Sequence, residues 1–427
     1  MAQSPPYFHD FVTRCARQGQ LVVQPRMGFS DAARMRQGLQ AVAAAPVPSI
    51  GTITLDSFTR TGDFASARRA VAEGKTLNGY PIVTYSEAEN HALLAGLRGP
   101  DFPVQVRHGS SLPEEIFRAT LRAGLDATEG GPISYCLPYG RVPLRLSVEA
   151  WARCTRLFAE AGDTYHIESF GGCMMGQLCP PAMLIAITLV EALFFRQHGL
   201  KLLSVSLAQG THGQQDVAAL RALRQLGEEL LGADDSWHIV FYTFMGKFPE
   251  TSHGARALME ESAKIAHHGR AERLIVKTVK EAHQIPLVED NLNALAWSYQ
   301  ASCQASDYAI DEAQVEQATA GILAEARFLV ELLLNLHSDI GLAIQQAFAK
   351  GYWDVPFCLH PDNRGRSFAR IRPGGYTGWA TTGNIPFPRQ VVAEAGAAGQ
   401  RLSSAALFHM LSYNQLRYDA AVPSLVC

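Results

Sequence analysis

Residues 200–246 read LKLLSVSLAQGTHGQQDVAALRALRQLGEELLGADDSWHIVFYTFMG. Two runs rich in Val, Ile, Leu and aromatic residues flank a stretch, Asp216–Leu231, whose apolar positions recur at helical spacing. Strand, amphipathic helix, strand is the signature of a parallel unit with a right-handed crossover. The pattern extends outward in both directions. Strand-like runs occur at 20–26, 49–60, 80–85, 103–109, 164–172, 200–210, 237–246 and 273–282, with amphipathic stretches such as 31–43, 113–123 and 148–161 between them. Eight units over about 280 residues fit a (β/α)8 barrel better than an open doubly wound sheet. A ninth run, PISYCLPYG (132–140), is read as an elaborated loop.

After residue 310 the pattern changes. Residues 311–350 are strongly helical, and the text after Gly351 is aromatic and rich in Pro and Gly. The expectation is a TIM-barrel domain over 1–310 and a C-terminal helical and irregular appendage over 311–427, packed on the barrel or on a partner.

Composition narrows the function. With 47% apolar and 18% charged residues and a net charge of −3, the 427-residue chain gives no electrostatic case for nucleic acid. Its eight cysteines show no CxxC pair, which suits free thiols in a reducing, cytoplasmic setting. The N-terminus, MAQSPPYFHD, has no signal-peptide pattern. The most apolar run, Ala182–Phe195, is 14 residues long and contains Glu191, so it reads as a buried helix and not a membrane span.

Barrel enzymes build their sites at the carboxyl ends of the strands. Those positions hold Arg26, Arg60, Arg107, Glu168 and Lys277. One such arginine is ordinarily a rim salt bridge; three at equivalent strand ends point to a small substrate with more than one anionic group, because guanidinium forks bind carboxylates bidentately. The segment TEGGPISYCLPYGR (128–141) adds Glu129, Tyr135 and Tyr139. Alone, these are a turn and packing residues. Beside an arginine cluster, they describe an amino acid with an extra carboxylate, Glu129 facing the ammonium group. Lys277 and Glu281 stand four apart, a spacing that an ordinary helical salt bridge also explains. His267-His268 lacks metal-ligand spacing, GTHGQQD (210–216) is a weak anion-binding signal, and GxSxG, Walker and HExxH motifs are absent.

Ten segments in this order resemble the large (epsilon) subunit of glutamate mutase, or methylaspartate mutase. They are VVQPRMG, TLDSFTR, LNGYPIV, QVRHG, EGGPISYCLPY, ESFGG, QDVAALRAL, FMGKFP, IVKTVKEA and the late WDVPF with GNIPF, running from about residue 20 to 390. The resemblance implies a radical rearrangement of L-glutamate to L-threo-3-methylaspartate driven by adenosylcobalamin, in a heteromer built on a homodimer of the large subunit. It implies that Arg26, Arg60 and Arg107 grip the substrate carboxylates, with Tyr135 and Tyr139 as further substrate contacts. It implies that Glu129, the candidate catalytic residue, is the acid that faces the substrate amino group. The same resemblance implies that Lys277 and Glu281 bind the adenosyl ribose, and that Asn78 and Phe170 line the cavity near the cofactor.

The chain departs from the family at Tyr242, where a histidine beneath the cofactor is expected, and at His166-Ile167, in place of a more polar pair. The cobalt-ligating DxHxxG signature is missing, since DTYH (163–166) has the wrong spacing. A small cobalamin-binding subunit would therefore present the corrin. Two other readings stay open: a mutase for another acidic amino acid, and a non-catalytic amino-acid-binding homologue or scaffold. Joint retention of the arginines, Glu129, Lys277 and Glu281 argues against the latter.

Overall fold

A computed structural model describes residues 7–138, 140–171, 178–234, 236–395 and 403–420. The stretch 200–246 forms a strand, the helix Gly213–Leu231 and a second strand. In that helix Val217, Leu220, Leu223 and Leu226 are buried, while Asp216 turns back to accept from Gly210 N at 2.9 and 3.0 Å. This anchors the loop at the top of the preceding strand.

Eight parallel strands are present: β1 (Val22–Pro25), β2 (Gly51–Thr54), β3 (Val104–Arg107), β4 (Ala127–Glu129), β5 (His166–Ser169), β6 (Leu202–Ala208), β7 (Trp237–Tyr242) and β8 (Arg273–Val276). They pair in sequence order from β2 to β8, and β8 returns to β1. Val23 N donates to Pro48 O (2.9 Å) and Ile50 N to Val23 O (3.3 Å), which joins β1 to the chain entering β2 and closes the barrel. The chain is a TIM barrel with additional C-terminal helices.

One expected strand is wrong. The run YPIVTY makes a single bridge, Tyr80 to Leu55, and then turns. Pro81 cannot donate to a ladder, and Thr84 N folds back onto its carbonyl at 2.8 Å. The missed strand is β4, whose three residues, Ala-Thr-Glu, are too short and polar to register as a run. The loop reading of 132–140 agrees with the turn observed over 132–138.

The barrel interior carries an unusual polar layer. Gln24, Thr52, Gln105, Glu168 and Arg273 are all fully buried. Arg273 Nη2 lies 2.5 Å from Glu168 Oε2, and Gln24 Nε2 donates to Thr52 Oγ1 (2.9 Å) and Gln105 Oε1 (2.8 Å). Below this layer the helix Tyr7–Arg17 crosses the N-terminal mouth, with the Phe8 ring 5.0 Å from the Arg273 guanidinium carbon.

The helix Pro181–Gln197 is buried almost throughout, between the barrel and the helices Glu312–Leu334 and Ile340–Lys350. Among the described residues no helix is long and apolar enough to cross a membrane. Beyond Gly351 the appendage is less irregular than its composition suggests. It contains an antiparallel pair, β9 (Ser367–Ile371) and β10 (Thr377–Thr382), hung on the barrel through Gln215, whose side chain bonds Thr377 N and O at 2.8 Å each.

Candidate active site

Residue period two decides which side chains enter the barrel. Along β3, Gln105 and Arg107 point inward. Along β5 it is His166 and Glu168, along β7 His238 and Tyr242, and along β8 Arg273 with Lys277 beyond the strand end. The last inward residue of each strand therefore meets the others at the C-terminal mouth.

A buried cluster occupies its centre. Arg107 Nε donates to Glu129 Oε2 at 2.6 Å, and both side chains are almost wholly buried. Tyr135 donates to the other carboxylate oxygen, Oε1. The Tyr242 hydroxyl lies 3.0 Å from Glu129 Oε2, donates to Glu168 Oε1, and receives Arg107 Nη2 at 3.4 Å. The Phe170 ring packs edge-on to Tyr242 (4.7 Å) and Tyr135 (5.7 Å). Arg107 Nη1 is buried with no hydrogen-bond partner. Burial pushes the Glu129 carboxyl up, opposed by the Arg107 charge.

The second cluster lies nearer solvent. Lys277 Nζ and Arg26 Nη1 both reach Glu281 Oε1, at 3.0 and 3.1 Å. Lys277 and Glu281 do not share a helix, as an i,i+4 spacing allows; residues 279–283 form a turn that brings them together. Burial draws the Lys277 ammonium down to about 8, against the pull of Glu281. With Met245, Lys247, Phe248 and His283 these groups border a cavity of about 620 Å³.

Arg60 sits on the one-turn helix Ser57–Thr61, whose N-terminus Asp56 caps by accepting from Phe58 N (2.9 Å) and Thr59 N (3.1 Å). Its hydrogen bonds go to Asp56 O and Ser57 Oγ, at 3.4 and 3.3 Å. Asn78 is exposed and does not border the cavity. Its amide holds Ser57, accepting from the backbone N (2.9 Å) and donating to Oγ (2.7 Å), so it braces the turn that carries Arg60. Tyr139 lies outside the described residues.

The structure thus gathers Arg107, Glu129, Tyr135 and Phe170 in one group and Arg26, Lys277 and Glu281 in another, with Arg60 beside His108. Three participants escaped the sequence reading. Arg273 and Gln105 lie mid-barrel, where only a strand-by-strand inward count finds them. Glu191 is the acid in the apolar run: it accepts from Ile133 N and Ser134 N (2.8 Å each) and from Ser134 and Ser169 Oγ (2.9 Å each), pinning the loop behind Glu129. His108, next to Arg107 in QVRHG, is a further participant. Its Nδ1 accepts from Ser110 N at 3.1 Å, so Nε2 carries the proton and is a buried donor with no partner. Burial, with Arg60 and Arg107 adding to it, drives the ring down to about 3 and keeps it neutral.

Chemically, the mouth presents Arg26, Arg60, Arg107 and Lys277 against the carboxylates of Glu129 and Glu281, above the mutually compensating Arg273–Glu168 pair. Two positive charges exceed the negative ones. The surplus, together with unmet donors on Arg107 and His108, suits an anionic ligand.

The family model for the methylaspartate mutase E chain (MutE) matches residues 5–405. Curated relatives named glutamate mutase epsilon subunit include those of Haloarcula marismortui and Yersinia enterocolitica. The first is 30% identical over 365 residues, 83% of this chain and 74% of that protein; the second is 30% identical over 354 residues, 79% and 73%. The Escherichia coli O157:H7 protein of the same name is 29% identical over 394 residues, 88% and 80%. The chain belongs to the methylaspartate mutase E chain family.

Proposed function

We propose that this chain is the substrate-holding subunit of an adenosylcobalamin-dependent mutase that interconverts L-glutamate and L-threo-3-methylaspartate, with a small DxHxxG subunit presenting the corrin. The observation that carries the reading is the buried Arg107–Glu129 pair whose Nη1 donor is unmet. A guanidinium held on one side by a carboxylate and open on the other is prepared for a second carboxylate.

In this reading Arg107, Arg60 and Arg26 hold the two substrate carboxylates, and neutral His108 donates through Nε2. Glu129, its affinity for a proton raised by burial, faces the substrate ammonium and takes a proton from that nitrogen as the amine becomes neutral. Tyr135 and Tyr242 fix the two oxygens of Glu129 in place. Phe170 closes the apolar side and excludes water.

The residues present fit the adenosyl part of the cofactor. The 620 Å³ cavity is of nucleoside size, Glu281 can accept from two vicinal ribose hydroxyls, and Lys277 can donate beside them. When bound, adenosylcobalamin supplies the adenosyl radical that exchanges hydrogen with the substrate.

The test is reconstitution of the full chain with a DxHxxG subunit and adenosylcobalamin, following L-glutamate by proton NMR. A new methyl doublet is the expected result. Turnover of a different acidic amino acid alone would move the substrate assignment, and complex formation without turnover of any would leave a binding protein.

A further inference from the structure

We propose that His9, His166 and His238 form a three-imidazole site for a borderline divalent cation, zinc or a metal of similar preference, at the N-terminal mouth of the barrel. It lies at the opposite end from the candidate active site and does not depend on the mutase reading.

The three histidines come from separate elements, the helix Tyr7–Arg17, β5 and β7, and all are buried. Each offers a ring nitrogen within 4.8 Å of the other two. The ring centres stand 5.1 Å (His166–His238), 5.7 Å (His9–His166) and 5.8 Å (His9–His238) apart. A tetrahedral zinc with nitrogen ligands at about 2.0–2.1 Å sets ring centres about 5 Å apart, so shifts of under about 1 Å bring the rings to bonding distance.

The second nitrogens are already committed. His166 Nε2 meets Ser204 Oγ at 3.0 Å, and His238 Nε2 receives Arg273 Nε at 3.4 Å. This leaves Nδ1 of His166 and Nδ1 of His238 fully enclosed without hydrogen-bond partners. Two orphaned nitrogens on rings stacked 5.1 Å apart are costly unless something satisfies them. A ligating histidine ordinarily donates its other N–H to a fixed acceptor, and His166 Nε2 is placed to do so toward Ser204 Oγ. Burial also keeps both rings neutral, the form that ligates.

Arg273 is the main opposing feature, and two facts moderate it. Its charge is matched by Glu168 at 2.5 Å, so the pair adds no net charge. Ligation through Nδ1 moves the His238 proton to Nε2, which displaces only the long 3.4 Å contact while the bonds to Glu168, Gln24 and Gln105 hold the guanidinium. Access exists: His9, Asp10, Thr13, Asp234 and Ser236 border an open cavity of about 870 Å³, from which water can supply a fourth ligand. The bound ion would strap the N-terminal helix to two strands and act on stability, not on the chemistry at the far mouth.

The experiment uses the untagged full chain, stripped with chelator and titrated with Zn2+ by calorimetry and with Co2+ by visible absorption. One equivalent, an intense tetrahedral cobalt spectrum and a melting temperature raised by about 5 °C at saturating Zn2+ are expected. His9→Gln should weaken binding at least about 30-fold, while the His267→Ala/His268→Ala double variant should leave it unchanged. Failure of the wild-type chain to bind one equivalent overturns the site without reference to any variant. So does binding that survives His9→Gln or is lost with His267 and His268.

Discussion

Arg107 shows how a single side chain links charge, burial and the proposed chemistry. Its Nε is spent on Glu129 at 2.6 Å, Nη2 leans on Tyr242, and Nη1 is unmet. Arg107→Lys keeps the charge and loses the fork. We expect kcat/KM for L-glutamate to fall at least about 100-fold, with an unchanged far-UV spectrum; unaltered kinetics would remove Arg107 from the site. Lys277 gives a pH prediction. Its ammonium is lowered from 10.5 to about 8, so between those values the unfolded chain holds more protons than the folded one. The Lys277 contribution to stability therefore rises as pH increases through that window, by at most about 1.4 kcal/mol per pH unit. Urea denaturation at several pH values, comparing wild type with Lys277→Met, reads the difference; a pH-independent difference would contradict it. Arg107, Glu129 and Lys277 were legible because they are charges at strand ends. Arg273 was not, because RLIV reads as an apolar strand with a charge at its boundary, and only its register with β1 and β7 places it inside.

At the scale of elements, the loop after β4 is the part that a sequence pattern conveys least. Its shape depends on Glu191, more than fifty residues away, which accepts four hydrogen bonds from or beside the loop. Gly131 faces that carboxylate so closely that a Cβ would collide with it, and Gly130, at φ +116°, would drive a Cβ into Tyr135. EGG was therefore readable as a turn, but the reason for the second glycine was not. Glu191→Ala leaves these buried donors without an acceptor, and we expect a loss of about 3 kcal/mol by urea denaturation. Tyr135 rides on the same loop, so activity in the variant should fall by more than the folded fraction does. The strand error has a similar origin. YPIVTY has the composition of a strand and a proline that ends it, whereas β4 has no composition to speak of and is held by its neighbours, β3 and β5.

The whole molecule divides its barrel by height. The N-terminal helix and three histidines close the base, and a polar layer led by the buried Arg273–Glu168 pair fills the middle. The cationic mouth opens at the top. A buried pair of this kind is weak evidence for stability, but here it connects through Tyr242 to Glu129 and so orients the site from below. The barrel was legible because strand–helix alternation is periodic; the polar middle layer depends on contacts between distant segments, and the β9–β10 hairpin is masked by its Pro- and Gly-rich surroundings. In the proposed function the mouth grips a dicarboxylic amino acid and thereby licenses radical chemistry supplied with a partner. The most direct test is electron paramagnetic resonance of the complex reconstituted with a DxHxxG subunit and adenosylcobalamin, frozen after substrate addition. The account expects a cobalt-coupled radical signal with L-glutamate and the wild-type chain, and none with Arg107→Lys. No signal with glutamate, or an equal signal in the variant, would contradict it.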